Sequence, residues 1–294
     1  MNGRLVAALA DRYRIERELG QGGMNLLIAC IIVLATVGAT SAQERTRGDF
    51  DADGGVRIHY EIIGEGPPVV LLHGFGASMS GSPMPKTILT GVAGHRLIGM
   101  DIRGFGMSGR PDGPGSYGIE TTRDVIRLLD HLGIRQADLF GFSMGGIIAL
   151  KTAALYPDRI RSLVLGGQGW ASLEDLQQMG RAAAELASRD TSALSPEERA
   201  TLERLGRQAF GGFAAAYPAL FVTPDELTHI ACPVLAVLGG DDERVQRAEA
   251  LRERVPQTQV VIIPGHGHAD VVADTLFGQA IARFYRDNES ERNR

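Results

Sequence analysis

The chain has 294 residues, 44% hydrophobic and 22% charged, a balance that suits a soluble globular protein able to bury a full core. Its formal charge is −5 and its basic residues are scattered without a block, so there is no nucleic-acid footprint and a polyanionic substrate is not expected. The two cysteines, Cys30 and Cys232, lie far apart with no ligand-type cysteine near either, which excludes a zinc knuckle or a disulfide framework and leaves Cys232, before Pro233, as a small packing residue.

In chain order, the stretch Ala10-Asp-Arg-Tyr-Arg-Ile-Glu-Arg-Glu-Leu-Gly-Gln-Gly-Gly23 looks like the opening strand and glycine loop of a bacterial Ser/Thr protein kinase. No later segment supplies, in order, the strand-three lysine, the catalytic-loop aspartate and the Asp-Phe-Gly that phosphoryl transfer needs, so no kinase activity is expected. Residues 1–23 then read as a kinase-like or spurious extension, and a natural start at Met24 would put the following apolar run at the N-terminus. That run, residues 26–40, is too short to span a bilayer comfortably, since about 20 apolar residues are needed. It ends in the small residues Thr40-Ser41-Ala42, so residues 24–42 are expected to be a signal peptide cut after Ala42 and the protein secreted or periplasmic. Two alternatives stay open: an uncleaved membrane anchor over residues 25–42, the one case in which a membrane is a partner, and a lipoprotein box at Leu27-Ile-Ala-Cys30.

From Val56 onward, short apolar strands alternate with glycine turns and amphipathic helices, the pattern of an α/β fold with a mostly parallel, doubly wound sheet. Residues 56–63 alternate like an exposed strand of an opening hairpin. The runs 69–72, 97–100, 137–140 and 163–165 read as central strands buried on both faces, and 234–238 and 259–263 continue the series. A helix over 119–132 puts Val125, Ile126, Leu128, Leu129 and Leu132 on one face, and Gly133 closes it. From about 169 to 230 there is no convincing strand, while Ser195-Pro-Glu-Glu198 reads as a helix start, so this segment is expected to be a helical cap over the carboxyl edge of the sheet. Residues 287–294 read as a charged, frayed tail.

Gly141-Phe-Ser-Met-Gly145 matches the nucleophile elbow, in which a strand turns sharply into a helix and projects a strained serine. The context agrees, because a strand over 137–140 precedes Ser143 and a helix over 147–156 follows it, bringing backbone N–H donors and a positive dipole end. An imidazole and a carboxylate from elsewhere in the chain are needed to activate the serine. Gly239-Gly-Asp-Asp242 follows one predicted strand and Pro264-Gly-His-Gly-His268 the next. Each motif alone reads as an ordinary turn, cap or surface loop; their order at successive strand ends is what points to a site.

With these motifs, residues 50–285 resemble the α/β-hydrolase fold superfamily, of the serine esterase and lipase type. The resemblance favours Asp242 over Asp241, through the family's Gly-x-x-Asp, and His268 over His266, through its Gly-x-Gly-His. It also implies that His73-Gly-Phe-Gly76 is the oxyanion loop, with the Phe75 and Met144 amides as donors worth about 3 kcal/mol each. Asp101-Ile-Arg-Gly-Phe-Gly-Met-Ser108 matches the family's Asp-x-Arg-Gly-x-Gly-x-Ser turn, whose role there is structural.

The expected mature hydrolase domain is therefore residues 43–294, cleaving a small apolar ester or related acyl substrate through an acyl-enzyme on Ser143. Phe142 and Trp170 are the candidate substrate contacts, although the cap aromatics Trp170, Phe210, Phe213, Tyr217 and Phe221 could equally pack the cap's own core. No cofactor or metal is expected. Gly104-Phe-Gly-Met-Ser-Gly109 runs into prolines instead of opening a Rossmann helix, and His266-Gly-His-Ala-Asp270 lacks a further histidine. Carbon–carbon bond hydrolases, lactonases, aminopeptidases and cofactor-free peroxidases share the triad and remain alternatives, as does a ligand-binding receptor with little turnover.

Overall fold

The apolar runs form a single eight-stranded sheet in the order β1-β2-β4-β3-β5-β6-β7-β8. The structure, a computed structural model, describes residues 45–292 except 82–84, 191, 193, 196–198 and 200–206. The kinase-like stretch, the apolar run and its expected cleavage site lie outside the described residues. Among the described residues no helix is long and apolar enough to cross a membrane.

Strand β2 (Val56–Ile63) is antiparallel to β1 (Arg45–Ala52) on one side and to β4 (Arg96–Met100) on the other; β3 (Pro68–Leu72), β5 (Ala137–Phe142), β6 (Ile160–Gly166), β7 (Val234–Gly239) and β8 (Thr258–Ile263) pair in parallel. The expectation that 56–63 is exposed is corrected: most of β2 is buried, because it lies inside the sheet. The edge belongs to β1, which carries Arg45, Arg47, Asp49 and Asp51, the charged composition that keeps an edge from pairing with other chains.

Side chains of the central strands alternate strictly between two cores. Val70, Leu72, Leu139, Leu163, Leu165, Ala236 and Leu238 point to one, and Val69, Leu71, Phe140, Val164, Leu235 and Val237 to the other. Helices α2 (Ile119–His131) and α3 (Met144–Leu155) cover the first face. Helices α1 (Lys86–Gly91) and α8 (Thr275–Arg292) cover the second. The expected fraying of 287–294 is corrected as far as Arg292, since α8 continues to that residue. Buried Phe284, Tyr285 and Asn288, with a 3.3 Å contact from His95 Nε2 to Glu289, give its last turns something to pack on.

Between β6 and β7 the chain leaves the sheet through α4 (Leu173–Ser188), α5 (Arg207–Ala216), a 3-10 turn (Tyr217–Leu220) and the short α6 (Pro224–Leu227). This is the expected cap; of its expected helix start at 195–198, residues 196–198 lie outside the described residues. Ser172 with Asp175, and Thr223 with Glu226, form capping boxes that fix where α4 and α6 begin. Buried Phe213 packs edge-on against Tyr217 within the cap and against Phe105 and Tyr117 outside it, so the cap's aromatics pack against one another and against the rest of the fold.

Candidate active site

Ser143 stands where β5 ends and α3 begins, with φ 53° and ψ −114°, and it has positive φ alone among the described non-glycine residues. Such a conformation costs on the order of 1–3 kcal/mol and persists only where the surroundings hold it. Here the serine amide donates to the Gly166 carbonyl at 2.8 Å, while α3 packs so close behind that a Cβ on Gly145 would lie 2.2 Å from the Leu72 carbonyl oxygen. A Cβ on Gly141 would lie 2.2 Å from the Gly145 oxygen, so glycine is required at both ends of the turn.

The Ser143 hydroxyl lies 2.8 Å from His268 Nε2, and His268 Nδ1 lies 2.8 Å from Asp242 Oδ2. Because an ionised carboxylate only accepts, Nδ1 carries the proton and Nε2 is left to receive one from the serine. Asp242 follows β7 and is 4% exposed. Burial opposes its charge, but the Arg244 amide, the His268 ring and the Arg244 guanidinium outweigh that and hold the carboxyl below the ordinary aspartate range. The alternatives take other roles. The Asp241 amide bonds the His266 carbonyl, and the His266 ring sits between Asp270, at 3.1 Å, and Asp274, at 2.9 Å.

The His73-Gly-Phe-Gly76 loop closes over the same point. A Cβ on Gly74 would lie 3.5 Å from Ser143 Cβ, and among the described residues the Phe75 and Met144 N–H groups have no hydrogen-bond partner. Buried His73 holds this loop by donating from Nδ1 to the Gly74 carbonyl at 2.8 Å and accepting the Ile102 amide at Nε2, 3.1 Å away. Burial pulls its pKa below the ordinary histidine value, against the opposing pull of the Gly74 carbonyl and the Asp101 charge, so it serves as a neutral brace. Asp101 in turn accepts from the Met79 amide at 2.5 Å, the Ser80 hydroxyl at 2.5 Å and the Met107 amide at 2.8 Å. Arg103 grips buried Asp124 through two 2.6 Å bonds, so the Asp101–Ser108 turn is structural, as its resemblance implied.

The family model for the alpha/beta hydrolase fold matches residues 67–203. A 2-hydroxymuconate semialdehyde hydrolase of Pseudomonas putida is 30% identical over 244 residues, covering 73% of this chain and 85% of the relative. The chain belongs to the α/β-hydrolase fold family. A 2-hydroxy-6-oxo-2,4-heptadienoate hydrolase of Pseudomonas putida is 37% identical over 123 residues, but that match covers 41% of this chain and only 44% of the relative's length. Among solved structures, a thermophilic esterase from Thermogutta terrifontis superposes with a TM-score of 0.63 at 25% identity, covering 83% of this chain and 99% of that one. The hydrolase class and fold are thereby shown; the kinase-like likeness of residues 10–23 finds no support in the comparisons.

In this hydrolase Phe142 lies where a substrate contact would be useful. Its ring stacks on His268, with centroids 5.5 Å apart and planes 24° apart, and it walls a cavity of about 200 Å³ with Gly74, Ala77, Met79, Ile88 and Val272. Trp170 is not brought there. Its Nε1 donates to the Val222 carbonyl at 2.8 Å, its face stacks on Phe221, and the Arg254 guanidinium lies 5.5 Å from its ring centre. The indole instead lines a groove of about 650 Å³ between α4 and α7 (Val245–Arg254) that neither Ser143 nor Phe142 lines. Its polar tip thus bonds the backbone while its ring packs on the cap, away from the cavity beside Phe142.

Two contributors carried no sequence signal. Arg244 reaches Asp242, and Lys151 on α3 donates to Glu226 Oε1 and Oε2 at 2.7 and 2.8 Å and to the Phe221 carbonyl at 2.7 Å, tying the cap to the helix that begins at Ser143.

Proposed function

We propose that this hydrolase cleaves a neutral carboxylic ester with a small apolar arm, through an acyl-enzyme on Ser143. The observation that carries the reading is the continuous line from the Ser143 hydroxyl through His268 to Asp242, both links being 2.8 Å. Ser143 Oγ attacks the carbonyl carbon while its proton passes to His268 Nε2, and the carbonyl electron pair moves to oxygen beside the Phe75 and Met144 amides. As the C–O bond breaks, the leaving alkoxide takes that proton and departs as an alcohol. Water then gives a proton to His268 as it attacks the acyl-enzyme, and collapse returns the proton to Ser143 and releases the acid. Asp242 keeps its charge throughout and stabilises the transient imidazolium.

The cavity beside Phe142 supports the substrate class. Its volume is about 200 Å³, small beside the roughly 300–1,000 Å³ of drug-sized ligand pockets. Leu71, Met79, Pro85, Ile88 and Val272 make its lining chiefly apolar, with no lysine or arginine among the described residues that line it. Carbon–carbon bond hydrolysis is the second reading, favoured by the relative named for 2-hydroxymuconate semialdehyde. A substrate of that kind carries a carboxylate, and the apolar lining offers it no cation, so the ester reading leads.

The test is turnover of p-nitrophenyl esters of increasing acyl length beside a vinylogous dienoate semialdehyde. Hydrolysis of short-chain esters that peaks within the cavity's capacity supports the reading. Turnover of the dienoate alone would replace it with the second, and no turnover of either by folded protein would overturn both.

A further inference from the structure

The acid of the site is held in an unusual way for a buried carboxylate that must serve a neighbouring base. Asp242 offers Oδ2 to His268, while its other oxygen, Oδ1, takes both the backbone amide and the guanidinium Nη1 of Arg244, each at 3.0 Å. The Asp242 side chain is fully buried and that of Arg244 is 21% exposed, so the guanidinium is the full positive charge bonded to a carboxylate that water does not reach. Asp242 is also the partner that defines Arg244. Its Nη2 lies 3.8 Å from Glu243, which is 81% exposed, and its Nε is buried without a partner.

We propose that Arg244 is a positioning residue that fixes the orientation and charge of Asp242, and through it the alignment of His268 with Ser143. The inference rests on the Ser143–His268–Asp242 reading above. With Oδ1 pinned at two points on one residue, the carboxylate cannot rotate about its Cβ–Cγ bond, and Oδ2 stays in line with Nδ1. The other charged groups around the pair are occupied with one another. Arg247 of α7 bonds Asp175 of α4 at 3.1 Å, His266 lies between Asp270 and Asp274, and Glu243 faces solvent. The residue stacked on His268 from β5, Phe142, is uncharged. Arg244 is therefore the cation whose removal the pair would register.

The experiment measures kcat and KM on a p-nitrophenyl ester, and Tm, for the wild type, Arg244→Met and Arg244→Lys. All three keep the backbone amide. The expected result is that Arg244→Met lowers kcat about tenfold while KM and Tm stay near their wild-type values. Arg244→Lys, which retains the charge, restores kcat toward the wild-type value. An unchanged kcat in Arg244→Met, or a loss that comes with a lower Tm and is not recovered by Arg244→Lys, would overturn the inference. If Ser143→Ala retained full activity in the same assay, the site reading itself would fall, which is a separate outcome from failure of the Arg244 role.

Discussion

Replacing Glu226 by Gln should show how far the cap depends on one buried ammonium. The Lys151 side chain is 7% exposed and that of Glu226 is 23% exposed, and all three Lys151 N–H bonds are used, two on Glu226 and one on the Phe221 carbonyl. Gln keeps the shape and can still accept from the Thr223 amide, so the change isolates the charge. Breaking a fully buried pair costs about 3–5 kcal/mol. Residual exposure of Glu226, and the acceptors that Lys151 keeps, reduce that to about 2 kcal/mol, or a Tm lower by about 4–8 °C in a domain of this size. The effect should also depend on pH. Burial opposes the charge of Glu226, but Lys151 and the Thr223 amide and hydroxyl prevail and hold its carboxyl below the ordinary value. A depressed carboxyl stabilises the fold fully above the ordinary glutamate value of about 4.3, and that stabilisation disappears as pH falls through the depressed value. Thermal melts at pH 7 and at successively lower pH should therefore show a large gap between wild type and variant that narrows in acid. A Tm change under about 1 °C at pH 7, or a gap that does not narrow as the pH falls, would refute the reasoning.

Three further outcomes follow from the site. Gly145→Ala drives a Cβ to 2.2 Å from the Leu72 oxygen and should abolish ester turnover or folding, read by activity and circular dichroism together. Asp242→Asn leaves the hydrogen-bond geometry available but favours the wrong His268 tautomer, so kcat should fall by up to about 10⁴ with KM nearly constant. Ala77→Leu fills part of the cavity beside Phe142 and should shift the p-nitrophenyl ester preference to shorter acyl groups.

Much of this architecture was legible in the residues because burial on both faces leaves a simple mark. The runs at 69–72, 137–140 and 234–238 could be strands only in the middle of a parallel sheet, and each motif that follows one lies at its carboxyl end. The helix expected over 147–156 begins at Met144 because elbow glycines, poor helix formers by propensity, are forced into the first turn by the packing of α3 on the sheet. Strand β1 left no mark, since Phe50 and Ala52 alone in it are buried. Trp170 was open to two readings, and only the Val222 carbonyl at its indole tip decides between them. Lys151 and Arg244 were illegible for different reasons: an ion pair across 75 residues, as between Lys151 and Glu226, has no spacing rule, and Arg244, two residues from Asp242, sits in a loop where no helical or strand period says which way its side chain turns.

The most direct test of the central claim is intact-mass and peptide mapping after reaction with a fluorophosphonate, which phosphonylates a serine only when a neighbouring base makes it nucleophilic. The account predicts a single adduct, on Ser143, that disappears in Ser143→Ala and forms far more slowly in His268→Ala. An adduct on another residue, or none on a folded protein, would contradict it.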